Sequence, residues 1–176
     1  MLSTHDLGLR YDGNHSQNIT GWVDADWAGD NTNARSTSGY VFMKNHAAIT
    51  WSSQLQITTA HSTSNAEYVA LAESGREAMW LRSLESSVSG KDCVEPTVLY
   101  EDNRGAYKWA HDPAHHKKTR HINIAYHSIR EQVSEFQNLA VKYVASEHNY
   151  GDAFTKTLPL PRFRSLFKKI LGMSNV

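Results

Sequence analysis

The chain of 176 residues carries 18 basic and 18 acidic side chains, so its formal charge is zero and no global field draws it to a nucleic acid or a membrane surface. Its length suits one domain with a proper core, and its single cysteine, Cys93, excludes an internal disulfide and a thiolate zinc site and fits a reducing compartment. No window approaches the roughly 18 consecutive apolar residues of a membrane helix, and the N-terminus lacks the apolar stretch of a signal peptide, so the sequence reads as a soluble intracellular protein.

After a polar stretch, "GWVDADWAGD" alternates Trp22, Asp24 and Asp26 against Val23 and Ala25, which predicts a strand. "STSGYVFM" (36–43) and "AAITWSS" (47–53) predict two more, joined by "KNH" as a hairpin. The longest periodic segment follows the cap candidates Ser62, Thr63 and Ser64 and stops near Gly90. Its inward face is predicted from Leu71, Ser74, Ala78, Leu81, Leu84 and Val88, and that face extended back one turn lands on Glu67.

Strand "TVLYED" and helix "NRGAYKWAH" come next, then a polar loop, a helix over about 121–136, and a strand over 139–144 with Leu139, Val141 and Tyr143 on one side. "NYGDAFTK" opens another helix, giving the order β-β-β-α-β-α-α-β-α. The last stretch, "LPRFRSLFKKIL", is basic and amphipathic, with Phe163, Leu166, Phe167, Ile170 and Leu171 on one side.

Four acids stand where elements begin, end or run through the centre: Asp24, Glu67, Asp102 and Asp152. An acid on the buried stripe of a helix must be paired, protonated or bound to a cation, so Glu67 requires an explanation. Asp102 and Asp152 beside helix starts fit caps as well as ligands, and Asp24 fits an exposed strand face. If the four converge, divalent cations would neutralise them, and an oxygen-only set favours Mg²⁺ or Mn²⁺ over zinc. Two such ions about 4 Å apart suit hydrolysis of a phosphodiester. Asp26 shares the face of Asp24 on an ideal strand and is the reserve ligand.

"GWVDADWAGD", "RSTSGYVF", "ITWSS", "NAEYVALAE", "EAMWLR", "YEDNRGA", "KTRHINIAYHSIRE" and "GDAFTKTLP" together resemble the ribonuclease H region of copia-type LTR retrotransposon Pol polyproteins, over nearly the whole chain. The resemblance implies an α/β, ribonuclease H-like fold with a mixed five-stranded sheet flanked by helices. It places the catalytic, metal-holding acids at Asp24 of "VDAD", Glu67 of "AEY", Asp102 of "EDN" and Asp152 of "GDAFTK", with two Mg²⁺ ions, Mn²⁺ as substitute, and the RNA strand of an RNA/DNA hybrid as substrate.

Residues 1–18 would be a remnant of the connection after an upstream reverse transcriptase domain of the same polyprotein, 19–158 the nuclease, and 159–176 a basic C-terminal helix. Such a protein would work in cytoplasmic virus-like particles or in the nucleus. The chain departs from the family pattern at Asn65, usually Glu, at "TKTLP", usually "TKPLP", and at Glu101, often Cys.

Between Asn103 and Arg130 stand six basic residues, Arg104, Lys108, Lys117, Lys118, Arg120 and Arg130, against Asp112 alone. With Tyr107 and Trp109 they suit a nucleic-acid backbone, and Arg104, Lys117, Lys118, Arg120 and Arg130 are the expected contacts. A merely solvated charged face is the alternative. The histidines at 111, 115, 116, 121 and 127 do not resemble a compact zinc motif. His148 is read as a helix cap. The rival reading of the whole is a non-catalytic nucleic-acid-binding domain from a decayed or repurposed copy, and a second is a related fold running other chemistry.

Overall fold

The computed structural model describes residues 7–11, 13, 18–29, 34–111 and 128–173. Five strands, β1 (Thr20–Asp26), β2 (Thr37–Lys44), β3 (Ala47–Leu55), β4 (Thr97–Glu101) and β5 (Leu139–Tyr143), form one sheet in the order β3-β2-β1-β4-β5. The first three pair antiparallel as the predicted meander, while β1–β4 and β4–β5 are parallel. The β2–β3 turn is Asn45–His46, both with positive φ (52° and 68°), the backbone a two-residue hairpin requires.

Helix α1 (Thr63–Ser89) begins at Ser62, whose Oγ accepts from the Asn65 N–H at 3.2 Å, and ends at Gly90 in the left-handed region. Asn65, where the family usually has Glu, closes the cap from the other side: its Oδ1 accepts from the His61 N–H at 3.0 Å. The shorter amide thus reaches the N–H one residue before the N-cap, where the Glu or Gln of a capping box reaches that of the N-cap itself. Helices α2 (Arg104–His111) and α3 (Ser128–Ser134) join α1 on one face of the sheet. The core there gathers Val23, Phe42, Tyr68, Leu71, Leu99, Ile129 and Leu139.

The other face carries Trp22, Val41 and Met43, covered by a 3₁₀ segment, Tyr150–Phe154, and by α4 (Leu160–Ile170). Leu166 and Ile170 are the buried residues of α4, and Phe163 and Phe167 stack beside them at 4.7 Å, as the amphipathic pattern predicts. The Arg10 N–H donates to the Leu171 carbonyl at 2.8 Å, tying the start of the described chain to the end of α4. No helix among the described residues is long and apolar enough to cross a membrane.

Several expectations change. Leu84 and Val88 are exposed (45% and 81%), on the rim of a cavity that Ile49 and Thr50 of β3 also line. Tyr143 is likewise exposed at the end of β5. The helix expected over 149–156 is instead two 3₁₀ segments, Ser146–His148 and Tyr150–Phe154. Of the helix expected over 121–136, residues 121–127 lie outside the described residues.

Leu99 is fully buried in the central strand β4. Leu99→Ala is expected to cost about 2–5 kcal/mol, measured as a lower urea midpoint with unchanged slope.

Candidate metal centre

Side chains alternate along a strand, and this decides how the acids meet. On β1, Val23 and Ala25 face the α1 core, so Asp24 shares the opposite face with Trp22. On β4, Leu99 faces the α1 core, so Glu101 points that way too, while Tyr100 turns over to stack on Trp22 at 5.1 Å. Glu67, in the second turn of α1, is on the same side as Glu101. Asp102 follows β4 directly at the lip of the sheet.

The acids accordingly form two groups that share one member. Carboxylate oxygens of Asp24, Asp102 and Asp152 lie within 4.8 Å of one another, and so do those of Glu67, Glu101 and Asp102. All four acids expected from the sequence converge, and Glu101 joins them. Asp26 does not: its carboxylate leans against the backbone at Gly29.

Asp102 does not cap α2. Asn103 does, its Oδ1 accepting from the Gly105 N–H (2.8 Å), the Ala106 N–H (3.1 Å) and the Ser64 hydroxyl (3.0 Å). Nor does His148, which is exposed, cap the 3₁₀ segment; buried Asn149 does, accepting from the Gly151 N–H at 3.0 Å and donating to the Val23 carbonyl at 2.7 Å. Gly151 lies so near β1 that a Cβ there would sit 2.8 Å from the Val23 carbonyl carbon. Asp152 is thereby held beside Asp24.

Cations from the chain already serve this half. Lys156 Nζ donates to Asp24 Oδ1 at 2.8 Å and to Asp152 Oδ1 at 2.7 Å, the Thr155 hydroxyl donates to Asp24 Oδ2, and Arg162 donates to Asp152 Oδ2. The i,i+4 spacing of Asp152 and Lys156 is readable in the sequence; nothing there signals Arg162. Glu67 Oε2 and Glu101 Oε2 are buried without a hydrogen-bond partner among the described residues.

The electrostatics follow. Burial pushes Asp24 up to about 6, against the pull of Lys156 and Thr155. Burial pushes Glu67 up to about 11, reinforced by the charges of Glu101, Asp24 and Asp102. Burial raises Glu101 well above the carboxylate range despite the hydrogen bond it accepts from the Asn103 N–H.

Of the expected nucleic-acid contacts, Arg104 is exposed beside Asp102, its guanidinium 5.3 Å from the centre of the Tyr143 ring. Arg130 is corrected: it is buried at 6% exposure, and its Nε donates to the Trp109 carbonyl at 3.1 Å, so it joins α3 to α2. Tyr107 and Trp109 pack against the core, Trp109 edge-on to Tyr68. Lys117, Lys118 and Arg120 lie outside the described residues, as do the histidines at 115, 116, 121 and 127.

No protein-family model matches the chain. The N-terminal RNase H domain of rv2228c from Mycobacterium tuberculosis is similar at a TM-score of 0.53 and 14% identity, covering 85% of this chain and 96% of that one. LC11-RNase H1 in complex with an RNA/DNA hybrid gives 0.51 and 15%, covering 78% and 94%. The fold is that of ribonuclease H.

In sequence, the retrovirus-related Pol polyprotein from transposon TNT 1-94 of Nicotiana tabacum is 37% identical over 157 residues, 88% of this chain. That from transposon RE1 of Arabidopsis thaliana is 34% identical over 176 residues, the whole chain. The chain, a segment of ribonuclease H fold, thus has Pol polyproteins of copia-type transposons as homologues along its length, and it spans only 11–12% of theirs.

Two outcomes test the site. Asn103→Ala is expected to lower stability by about 1 kcal/mol as a lost cap, while Asp102→Asn leaves the metal-free melting temperature unchanged or higher; thermal unfolding of both variants checks this. Because Glu67 and Asp24 keep protons to higher pH folded than unfolded, metal-free stability is greatest below about pH 4 on their account and falls as pH rises through about 6 and beyond. A divalent cation bound at these acids would release protons and bind more tightly as pH rises, which calorimetry with Mg²⁺ in buffers of different ionisation enthalpy tests.

Proposed function

We propose that the chain is the ribonuclease H domain of a transposon Pol polyprotein, hydrolysing the RNA strand of RNA/DNA hybrids during reverse transcription with Mg²⁺, or Mn²⁺, as cofactor. The observation that carries this reading is the convergence, at one end of the sheet, of Asp24 from β1, Glu67 from α1, Asp102 just after β4 and Asp152 from the 3₁₀ segment Tyr150–Phe154. The donor set fits hard divalent ions: it is all oxygen, and buried Glu67 Oε2 has no partner of its own among the described residues. A structural neighbour solved with an RNA/DNA hybrid supports the substrate class.

Bound divalent ions would supply a deprotonated water and neutralise the leaving oxygen of the phosphodiester. Asp24, Glu67, Asp102 and Asp152 would hold them. The residues of the chain do the rest. Asp24 is fixed by its pairing with Gly39 of β2, and Asp152 by Asn149 and Gly151 behind it. Lys156 and Arg162 balance the Asp24–Asp152 charge and keep the pair assembled. Arg104, exposed next to Asp102, is placed to take a phosphate of the substrate backbone, and Lys117, Lys118 and Arg120 would extend that contact. The 2′-hydroxyl is the chemical handle that separates RNA from DNA at such a site.

On this reading residues 1–18 would be a remnant of the connection after a reverse transcriptase domain, 19–158 the nuclease, and 159–176 a basic C-terminal helix.

The test is cleavage of a labelled RNA/DNA hybrid by the purified chain with Mg²⁺ or Mn²⁺. Cutting of the RNA strand is expected, with a DNA duplex untouched. Asp102→Asn is expected to lose more than about 100-fold, since even groups outside a metal's coordination sphere are worth 10–100-fold. Hybrid binding without cutting would instead favour a non-catalytic binding domain.

A further inference from the structure

We infer that Glu101 completes, with Glu67 and Asp102, a three-carboxylate position for a divalent cation such as Mg²⁺ or Mn²⁺, and that this position fills before the Asp24–Asp152 side of the cluster. This rests on the proposed metal dependence and goes beyond it, because the family resemblance puts only one ligand, Asp102, at the end of β4 and often cysteine at position 101.

Geometry comes first. One oxygen from each of Glu67, Glu101 and Asp102 lies within 4.8 Å of the other two, a spacing that a single ion spans. Glu101 is fully buried and Glu67 is 4% exposed, yet Oε2 of each lacks a hydrogen-bond partner among the described residues. The other Glu101 oxygen accepts from the Asn103 N–H at 2.9 Å, which fixes the carboxylate's orientation toward the shared space. A buried carboxylate oxygen without a partner is costly unless a proton or a cation meets it.

The order of filling follows from the asymmetry of the cluster. Asp24 and Asp152 share the Lys156 ammonium, with Thr155 and Arg162 on their other oxygens. A divalent ion there must displace cations that are already hydrogen-bonded. On the Glu67–Glu101 side neither glutamate is ion-paired among the described residues. Glutamate in place of cysteine also replaces a soft sulfur by a hard oxygen, which suits Mg²⁺ and Mn²⁺.

The experiment is a Mn²⁺ titration of the whole chain, read by the electron paramagnetic resonance signal of free Mn²⁺, with hybrid cleavage measured separately. The wild type is expected to show a tighter and a weaker class of site. Glu101→Gln should weaken the tighter class about 10–100-fold and spare the weaker, Asp152→Asn should do the reverse, and Lys156→Gln should strengthen the weaker. Glu101→Cys, which restores the family's residue, should resemble Glu101→Gln. Metal-free melting temperatures of the Glu101 variants at or above wild type would show that they fold.

Tight binding unchanged in Glu101→Gln but lost in Asp102→Asn would overturn the role of Glu101 and leave the proposed nuclease standing. No Mn²⁺ binding by any protein, with no cleavage, would remove both.

Discussion

The acidic end of the sheet depends on one seam, where the 3₁₀ segment Tyr150–Phe154 lies directly on β1. A Cβ at Gly151 would come within 2.9 Å of the Asp24 nitrogen, and one at Gly39, on the neighbouring strand, within 2.5 Å of Thr155 Cγ2. Two glycines therefore let backbone meet backbone where any larger residue would hold the layers apart. Asn149 bonds across the same seam in both directions, as donor to Val23 and acceptor from Gly151. With the layers pinned, Thr155 and Lys156 have no choice but to face Asp24.

The cluster that results is strained electrostatically, and the strain is unevenly shared. Five carboxylates meet two cations, and both cations, Lys156 and Arg162, attach to Asp24 and Asp152. The side beneath α1 is left to resolve its repulsion by taking up protons. Structure and chemistry are coupled here in the usual sense for functional sites: groups that weaken the fold when alone are those that bind something else. The capped start of α1 and the packed stripe of Leu71, Ser74, Ala78 and Leu81 supply the stability that tolerates Glu67.

Much of this was legible in the residues. Ser62 and Gly90 bracket α1, the period of its apolar residues points to Glu67, and the short connection after β2 gives the hairpin. What failed did so because local pattern carries no distance information. Leu84 and Val88 keep the helical period and yet stay exposed. Arg130 looks like any surface cation until α3 is folded against α2. Asp102 and Asn103 are equally good caps in isolation, and only the β4 pairing shows that the strand stops one residue before Asp102. Glu101 stands out from the family pattern as an added charge, but the alternation of β4 is what turns it inward rather than toward solvent.

The bond from Asn149 to the Val23 carbonyl spans 126 residues of sequence. The β1–β2–β3 meander, by contrast, closes through a two-residue turn and the 10 positions between β1 and β2 are its longest internal gap. Contacts of such different separation form on different timescales, since long closures cost chain entropy before any contact rewards them. The meander can assemble early, but the acids of β1 gain their partners only when the last third of the chain docks. On a ribosome Asp24 would wait unpartnered until residues 149–156 had emerged, more than a hundred residues after β1.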